Sequence, residues 1–164
     1  MNRKHTREFY LKLIDKFREI KKNIEFSSDF IVGYPGETDK DFKDTLDLVD
    51  KVKFSNSYSF VYSQRPGTPA VDSDQIPREV SAKRLEILQN KLFDLQRKFN
   101  DSKVNSKTKV LVENITKQGN QFFGRNEHMQ PVFIKGNKCI PGQIEIVKVD
   151  SSNRHNLWGT VDNN

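Results

Sequence analysis

Apolar side chains recur at two different periods along this chain, and the change of period divides it in two. After Thr6, a residue able to cap a helix, Tyr10, Leu13, Ile14, Phe17 and Ile20 return every three or four positions and predict an amphipathic helix ending near Lys21-Lys22. Ile24 to Val32 reads as a strand, and its continuously apolar end Phe30-Ile31-Val32 predicts a parallel strand covered on both faces. Thr38 with Asp41 three residues on resembles a capping box opening a second helix, whose stripe is Phe42, Leu46 and Val49 with Val52 at its end. Tyr58 to Tyr62 reads as a second strand, and Gln64-Arg-Pro-Gly-Thr-Pro69 as loop. Pro77 opens a long helix with a single apolar seam of Leu85, Leu88, Leu92, Leu95 and Phe99.

Beyond Asn100 the period shortens. Lys109–Glu113, Gln121–Gly124, Pro131–Ile134, Ile144–Val149 and Leu157–Val161 are short β-rich runs separated by Gly, Asn, Ser and Asp, the pattern of a small antiparallel barrel. The boundary falls near Ser102, giving residues 1–101 an α/β character and residues 102–164 an all-β one. Helix–strand alternation in the first part builds parallel sheet. Two strands cannot close a barrel, and a complete (β/α)₈ barrel takes roughly 250 residues, so the expectation is a partial barrel lacking its first half.

Composition narrows the partners. The 164 residues are 34% hydrophobic and 30% charged, a polar chain with a thin core, and the net charge of +6 favours anionic partners, nucleic acid above all. Cys139 is the single cysteine, which excludes an internal disulfide framework and any multi-cysteine metal site within these residues. With no apolar leader and no apolar run near the ~20 residues of a membrane span, the expected location is the cytoplasm.

The candidate chemistry centres on Asp29-Phe-Ile-Val-Gly-Tyr-Pro-Gly-Glu-Thr38, a strand entering a glycine turn and leaving into a capped helix. In parallel α/β folds ligands sit at such carboxyl strand ends, where helix amino termini offer unpaired N–H groups. Gly33 and Gly36 would let backbone approach a ligand, and Pro35 stiffens the turn; the plain alternative is a tight connection without a ligand.

The segments DFIVGYPGETDKDFKDTLDLV, SFVYSQRPGTPA, DQIP and GRNEHMQPVF, in this order, resemble the carboxyl-terminal half of the tRNA-modifying branch of the radical S-adenosylmethionine (SAM) methylthiotransferases. The resemblance covers essentially the whole chain. It implies a partial radical SAM core followed by a TRAM domain, a small five-stranded barrel of the oligonucleotide-binding kind. It also implies 2-methylthiolation of N6-isopentenyladenosine beside the tRNA anticodon, with SAM and four-iron four-sulfur clusters as cofactors.

Carried onto this sequence, the resemblance places Ile31, Val32 and Gly33 beside the SAM adenine, has Glu37 cap the turn, and makes Arg3 and Arg65 candidates for anionic groups of SAM or tRNA. His5 stands where that family carries tyrosine. In the barrel, Lys107, Lys109, Lys117, Arg125, Lys135, Lys138, Lys148 and Arg154 are candidates for phosphates. Phe122, Phe123, Phe133 and Trp158 either stack on bases or fill the interior; for Phe133 and Trp158 the interior is expected, because small barrels need large side chains inside.

The cluster cysteines of that family have no counterpart here, since soft thiolates hold such clusters and Cys139 lies in the distal barrel. The expectation is therefore the product of a split or truncated gene, active only with a separate amino-terminal half carrying the cysteines. The alternatives are a stand-alone RNA-binding module and an inactive remnant.

Overall fold

A computed structural model describes residues 3–119, 121–136 and 139–162, and its contacts separate into two compact units, Met1–Leu95 and Gln96–Asn164. In the first unit α1 (Arg7–Ile20) starts where Thr6 accepts from the Phe9 N–H. β1 (Ser27–Val32) begins three residues later than the sequence suggests, because the chain turns first, the Ile24 N–H donating to the Lys21 carbonyl at 3.0 Å. α2 (Asp39–Val52) carries a complete capping box: the Thr38 side chain accepts from the Asp41 N–H and the Asp41 side chain accepts from the Thr38 N–H. β2 (Asn56–Val61) pairs parallel to β1, residue for residue from Ser27↔Asn56 to Val32↔Val61.

The helices lie on one face of this two-stranded sheet. Phe30 and Val32 point into a core shared with Ile14, Phe42, Val49, Val52, Phe54, Leu88 and Leu92. Ile31 points the other way and, contrary to the expectation of a strand covered on both faces, is 38% exposed beside Tyr58 at 63% and Phe60 at 53%. Ile31 and Phe60 are register partners on this open face, and Tyr58 pairs there with the exposed Asp29.

The cap on α2 yields a pH prediction. Hydrogen bonds from the Thr38 hydroxyl, then from its backbone, hold the Asp41 carboxyl below its ordinary value. A carboxylate depressed in the folded state contributes above its unfolded pKa, and the contribution is lost as pH falls through the folded one. Asp41→Asn is therefore expected to flatten the acid limb of a melting-temperature profile below the usual carboxylate range, leaving neutral pH the less dependent part of the curve.

α3 (Arg78–Asp101) follows a short 3₁₀ turn at Pro69–Asp72 and contributes to both units. Its seam is divided accordingly. Leu88 and Leu92 are buried in the first core with Leu85 and Leu95 against it, whereas Phe99 stacks edge-on to His128 at 5.5 Å in the second unit.

The second unit is a closed barrel of β3 (Lys107–Ile115), β4 (Gln121–Asn126), β5 (Pro131–Lys135), β6 (Ile144–Ser152) and β7 (Leu157–Val161), in the order β3-β4-β5-β7-β6 with β6 returning to β3. One pairing departs from the antiparallel expectation: β5 and β7 run parallel. The chain crosses from β5 to β6 on the far side of β3 before returning, so β7 enters the gap in the same direction as β5. Val110, Val112, Phe122, Val132, Ile134, Val147, Val149 and Leu157 fill the interior, with Cys139 beside them. Burial, with Glu145 nearby, pushes the Cys139 thiol up, away from the thiolate that a metal ligand requires.

Candidate functional site

The carboxyl end of β1 is a built turn. Glu37 N–H donates to the Tyr34 carbonyl at 2.9 Å, with Pro35 and Gly36 (φ +82°) between them, the chemistry of a type II turn. The Glu37 carboxylate then folds back: one oxygen accepts from the Gly33 N–H at 2.7 Å, the other from Arg84 at 3.0 Å. Arg84 also donates to the Glu37 carbonyl at 3.0 Å and to Asp39 at 2.7 Å, and lies over the Phe42 ring. Arg84 and Glu37 are both nearly buried, at 8% and 12% side-chain exposure.

This geometry corrects the sequence reading of Gly33. Its positive φ of 71° and missing side chain do serve a close approach, but the approaching group is Ser81 of α3, whose Oγ would lie 2.3 Å from a Cβ at position 33. At Gly36, φ +82°, an added Cβ would meet nothing within 4 Å. Val32 is buried, with its carbonyl accepting from Tyr62 N–H at 2.8 Å, and Ile31 lies on the open sheet face. Arg3 is exposed ahead of α1, and Arg65 is exposed in a turn whose carbonyl accepts from both the backbone and the hydroxyl of Thr68. Tyr34 and Tyr62 meet edge-on at 5.0 Å where β1 and β2 end.

In the barrel the candidates separate by strand register. Lys135 pairs with Thr160, Thr160 with Lys148, and Lys148 with Lys107, so these side chains form one row around the outside, and Lys109 follows Lys107 two residues on. Lys109, Lys135 and Lys148 are exposed; Lys107 is ion-paired with Asp162. The neighbouring row is Phe123, Phe133, Trp158 and Ser151, again in register. Phe133 and Trp158 are thus on the outer surface and not in the interior, a correction that follows from closure: Val132 and Ile134 on one side and Leu157 and Gly159 on the other already occupy the inward positions. Phe122 alone of the four aromatics points inward.

Arg125 extends the aromatic row. It donates to both oxygens of Glu113 at 2.6 and 2.7 Å and sits 5.4 Å over the Phe123 ring. Arg154 lies in the β6–β7 turn with its Nε donating to His155 at 2.9 Å, and Lys138 lies outside the described residues.

The residues that hold this surface went unrecognised in the sequence. Asn100 donates to the carbonyls of Asn153 and Arg154, Gln130 donates to Asn100 at 2.7 Å, and Asn126 donates to Gln130 at 2.8 Å, all three amides buried. This network ties the β4–β5 and β6–β7 turns to the end of α3, and it explains why Asn126 and Gln130 stand where they do in GRNEHMQPVF. Three amides spaced along the chain carry no local pattern that would have marked them.

Among the described residues no group of three His, Cys, Asp or Glu side chains is placed to hold a metal ion, and no helix is long and apolar enough to cross a membrane. The single cysteine lies inside the barrel, so these residues do not fit an iron–sulfur cluster held by several thiolates.

Comparison with known proteins agrees with both units. Residues 1–49 match the Radical SAM superfamily and residues 101–161 the TRAM domain. The tRNA-2-methylthio-N(6)-dimethylallyladenosine synthase of Pelagibacter ubique (strain HTCC1062) is 50% identical over 161 residues, covering 98% of this chain and 36% of that protein. Nearly the whole chain is similar to the carboxyl-terminal part of this synthase. The synthases of the same name from Rickettsia conorii (strain ATCC VR-613 / Malish 7) and Rickettsia akari (strain Hartford) are each 48% identical over 163 residues, covering 98% of this chain and 37% of each relative. The chain therefore spans little more than a third of the length of the curated relatives it matches. The five-stranded barrel lies within the residues that match the TRAM domain, and α1, β1 and most of α2 lie within those that match the Radical SAM superfamily.

Proposed function

We propose that this chain supplies the RNA-gripping barrel and part of the SAM-binding core of a methylthiotransferase acting on N6-isopentenyladenosine beside the tRNA anticodon. The iron–sulfur clusters of that reaction would be held by cysteines outside these 164 residues. The observation that carries the RNA part of this reading is the in-register row of Lys135, Thr160, Lys148 and Lys107 along the barrel surface, a line of cations suited to a phosphate backbone. For SAM, the Gly36 turn, Ile31 and the strand-end tyrosines would provide one wall. The open apolar face of Ile31, Tyr58 and Phe60 would be covered by further strands of the same barrel.

The RNA part is tested with an anticodon stem–loop and the whole chain across a salt series. Affinity should fall linearly on a log–log plot, and Lys135→Ala or Lys148→Ala should each lower the slope by roughly 0.7–0.9, the share of one phosphate contact. Absence of binding at low salt would remove the reading. For the catalytic part, the chain is co-produced with the cysteine-bearing remainder of a relative; association, bound iron and methylthiolated product are the expected results.

A stand-alone RNA-binding module is the second reading. It is favoured by one specific observation: Glu37, Gly33 and Arg84 satisfy one another within the chain, so the strand-end turn is complete without a ligand. RNA binding that persists while co-production yields neither association nor iron would select this reading over the first.

A further inference from the structure

We infer that the outward face of α1 is a contact surface for a second copy of this chain, the two helices packing antiparallel about a two-fold axis. Neither the RNA-binding nor the SAM-binding reading above is needed for it. Of the apolar stripe legible in the sequence, only Tyr10 and Ile14 reach the core. The side of α1 that meets α2 is fixed by cations as well: Arg7 donates to the Asp44 carbonyl and pairs with Asp47, and Arg18 donates to the carbonyls of Lys51 and Val52.

The rest of the stripe looks outward. Phe9, Leu13 and Phe17 follow one another at four-residue spacing with Ile20 beyond, and they are 59%, 39%, 43% and 84% exposed. A surface helix normally carries one apolar stripe and a polar opposite face. Four large apolar side chains bare on the opposite face of α1 mark an interaction surface.

The charges beside this stripe identify what covers it. Lys12 and Glu19 lie on one flank, two turns apart, both exposed and neither ion-paired among the described residues. Laid antiparallel on a second α1, with the axis level with Asp15, Phe9 comes level with Ile20 of the other copy, Leu13 with Phe17, and Lys12 with Glu19. Apolar side chains then meet apolar ones, and the two flanks supply two opposite-charge pairs. Parallel packing would instead set Lys12 against Lys12 and Glu19 against Glu19. A surface that complements itself in the antiparallel sense is what a two-fold dimer requires. Lys16 rises near the axis, where it faces its own copy, and like charges there weaken the pair. Two helices of 14 residues also make a small interface, so the dimer is weak and concentration-dependent.

The full chain is examined by sedimentation from about 10 µM to about 1 mM, the range in which a weak pair becomes populated. The mean mass is expected to climb from 19.1 kDa toward twice that value. Leu13→Glu should hold the chain monomeric throughout. Lys12→Glu sets anion against anion on both flanks and should raise the dissociation constant roughly tenfold, as should Glu19→Lys, while the double variant K12E/E19K restores the dimer. Lys16→Ala should tighten it. All four positions are exposed, and a thermal melt of each variant confirms the fold.

A chain that stays monomeric at about 1 mM overturns the inference. So does a dimer indifferent to Leu13→Glu, which would place the contact elsewhere, or one that the two charge reversals weaken and the double variant fails to restore. A chain that is monomeric alone and associates through Leu13 with the cysteine-bearing remainder of a relative assigns this face to the longer protein; self-pairing then falls and the proposed function stands. Failure of RNA or SAM binding leaves every one of these readouts in force.

Discussion

Replacing Gly159 by alanine is expected to destabilise the barrel by about 3 kcal/mol. A Cβ at this inward position of β7 would lie 2.2 Å from the Lys148 carbonyl oxygen and 2.6 Å from Val147 Cγ1. The first of these is backbone of the neighbouring strand β6, held by the β6–β7 ladder, and it cannot move aside without breaking register with Val149. Overpacking of an interior typically costs about 1–3 kcal/mol, and a clash against backbone in a closed ring belongs at or above the upper end, about 3 kcal/mol. That is a large share of the stability of a small domain. Urea denaturation followed by Trp158 fluorescence measures it, since Trp158 is the adjacent residue. Gly124→Ala on β4, whose Cβ would meet the Leu111 carbonyl oxygen at 2.1 Å, should behave alike, whereas Gly119→Ala, with nothing within 4 Å, meets only the backbone penalty of its positive φ of 71°. Native-like stability of Gly159→Ala would mean that the ring is wider than the structure has it.

Arg84→Ala is expected to destabilise the first unit by about 3 kcal/mol, the lower end of what breaking a nearly buried ion pair costs. The loss is not the Coulomb attraction alone. Glu37 would keep a carboxylate oxygen at 12% side-chain exposure with no cation facing it, and its backbone carbonyl would lose a donor at the same time. Arg84→Met separates these effects from packing, because its stem can still cover Phe42; it should lose most of what alanine loses. Lys83→Ala, one residue away in an exposed pair with Glu86 at 67% and 59% side-chain exposure, is the control and should melt unchanged. A local readout accompanies the global one. The Gly33 amide, which donates to Glu37, should exchange faster with solvent once Arg84 no longer holds that carboxylate in place. If Arg84→Ala melts like Lys83→Ala and the Gly33 amide stays protected, the turn is held by its own backbone and Arg84 is incidental.

Much of the architecture could be read from local pattern. The Thr6 cap, the Thr38–Asp41 box, the α2 stripe and all five barrel strands follow from interactions within a few residues, and each is found where the spacing puts it, to within a few positions at the ends; the α1 stripe is not, for Ile14 is buried and Tyr10 packs on the core with Leu11, while Leu13, Phe17 and Ile20 are exposed. The candidate site was less legible. Gly33 was read as making room for a ligand; its real neighbour, Ser81, stands 48 residues further along. Arg84 looked like one more charge on a polar helix face, because nothing near it in sequence shows that Glu37 and Asp39 converge on it. The β5 segment Pro131-Val-Phe-Ile-Lys135 is apolar on both faces, so alternation alone could not say whether Phe133 or its neighbours faced inward. The pairing with β7 decides it, since Val132 and Ile134 meet Leu157 and Gly159 across the interior.

The amino-acid sequence by itself determined the elements, their caps, the change from helical to strand texture after Asn100, and the absence of a second cysteine, because these depend on neighbours in the chain or on counting. Tertiary structure alone decided which side chains share a surface. The parallel β5–β7 pairing, the lysine row, the outward aromatic line and the Arg84 clamp are all produced by segments far apart in sequence, and their relations are set by ring closure and burial, which no local pattern encodes.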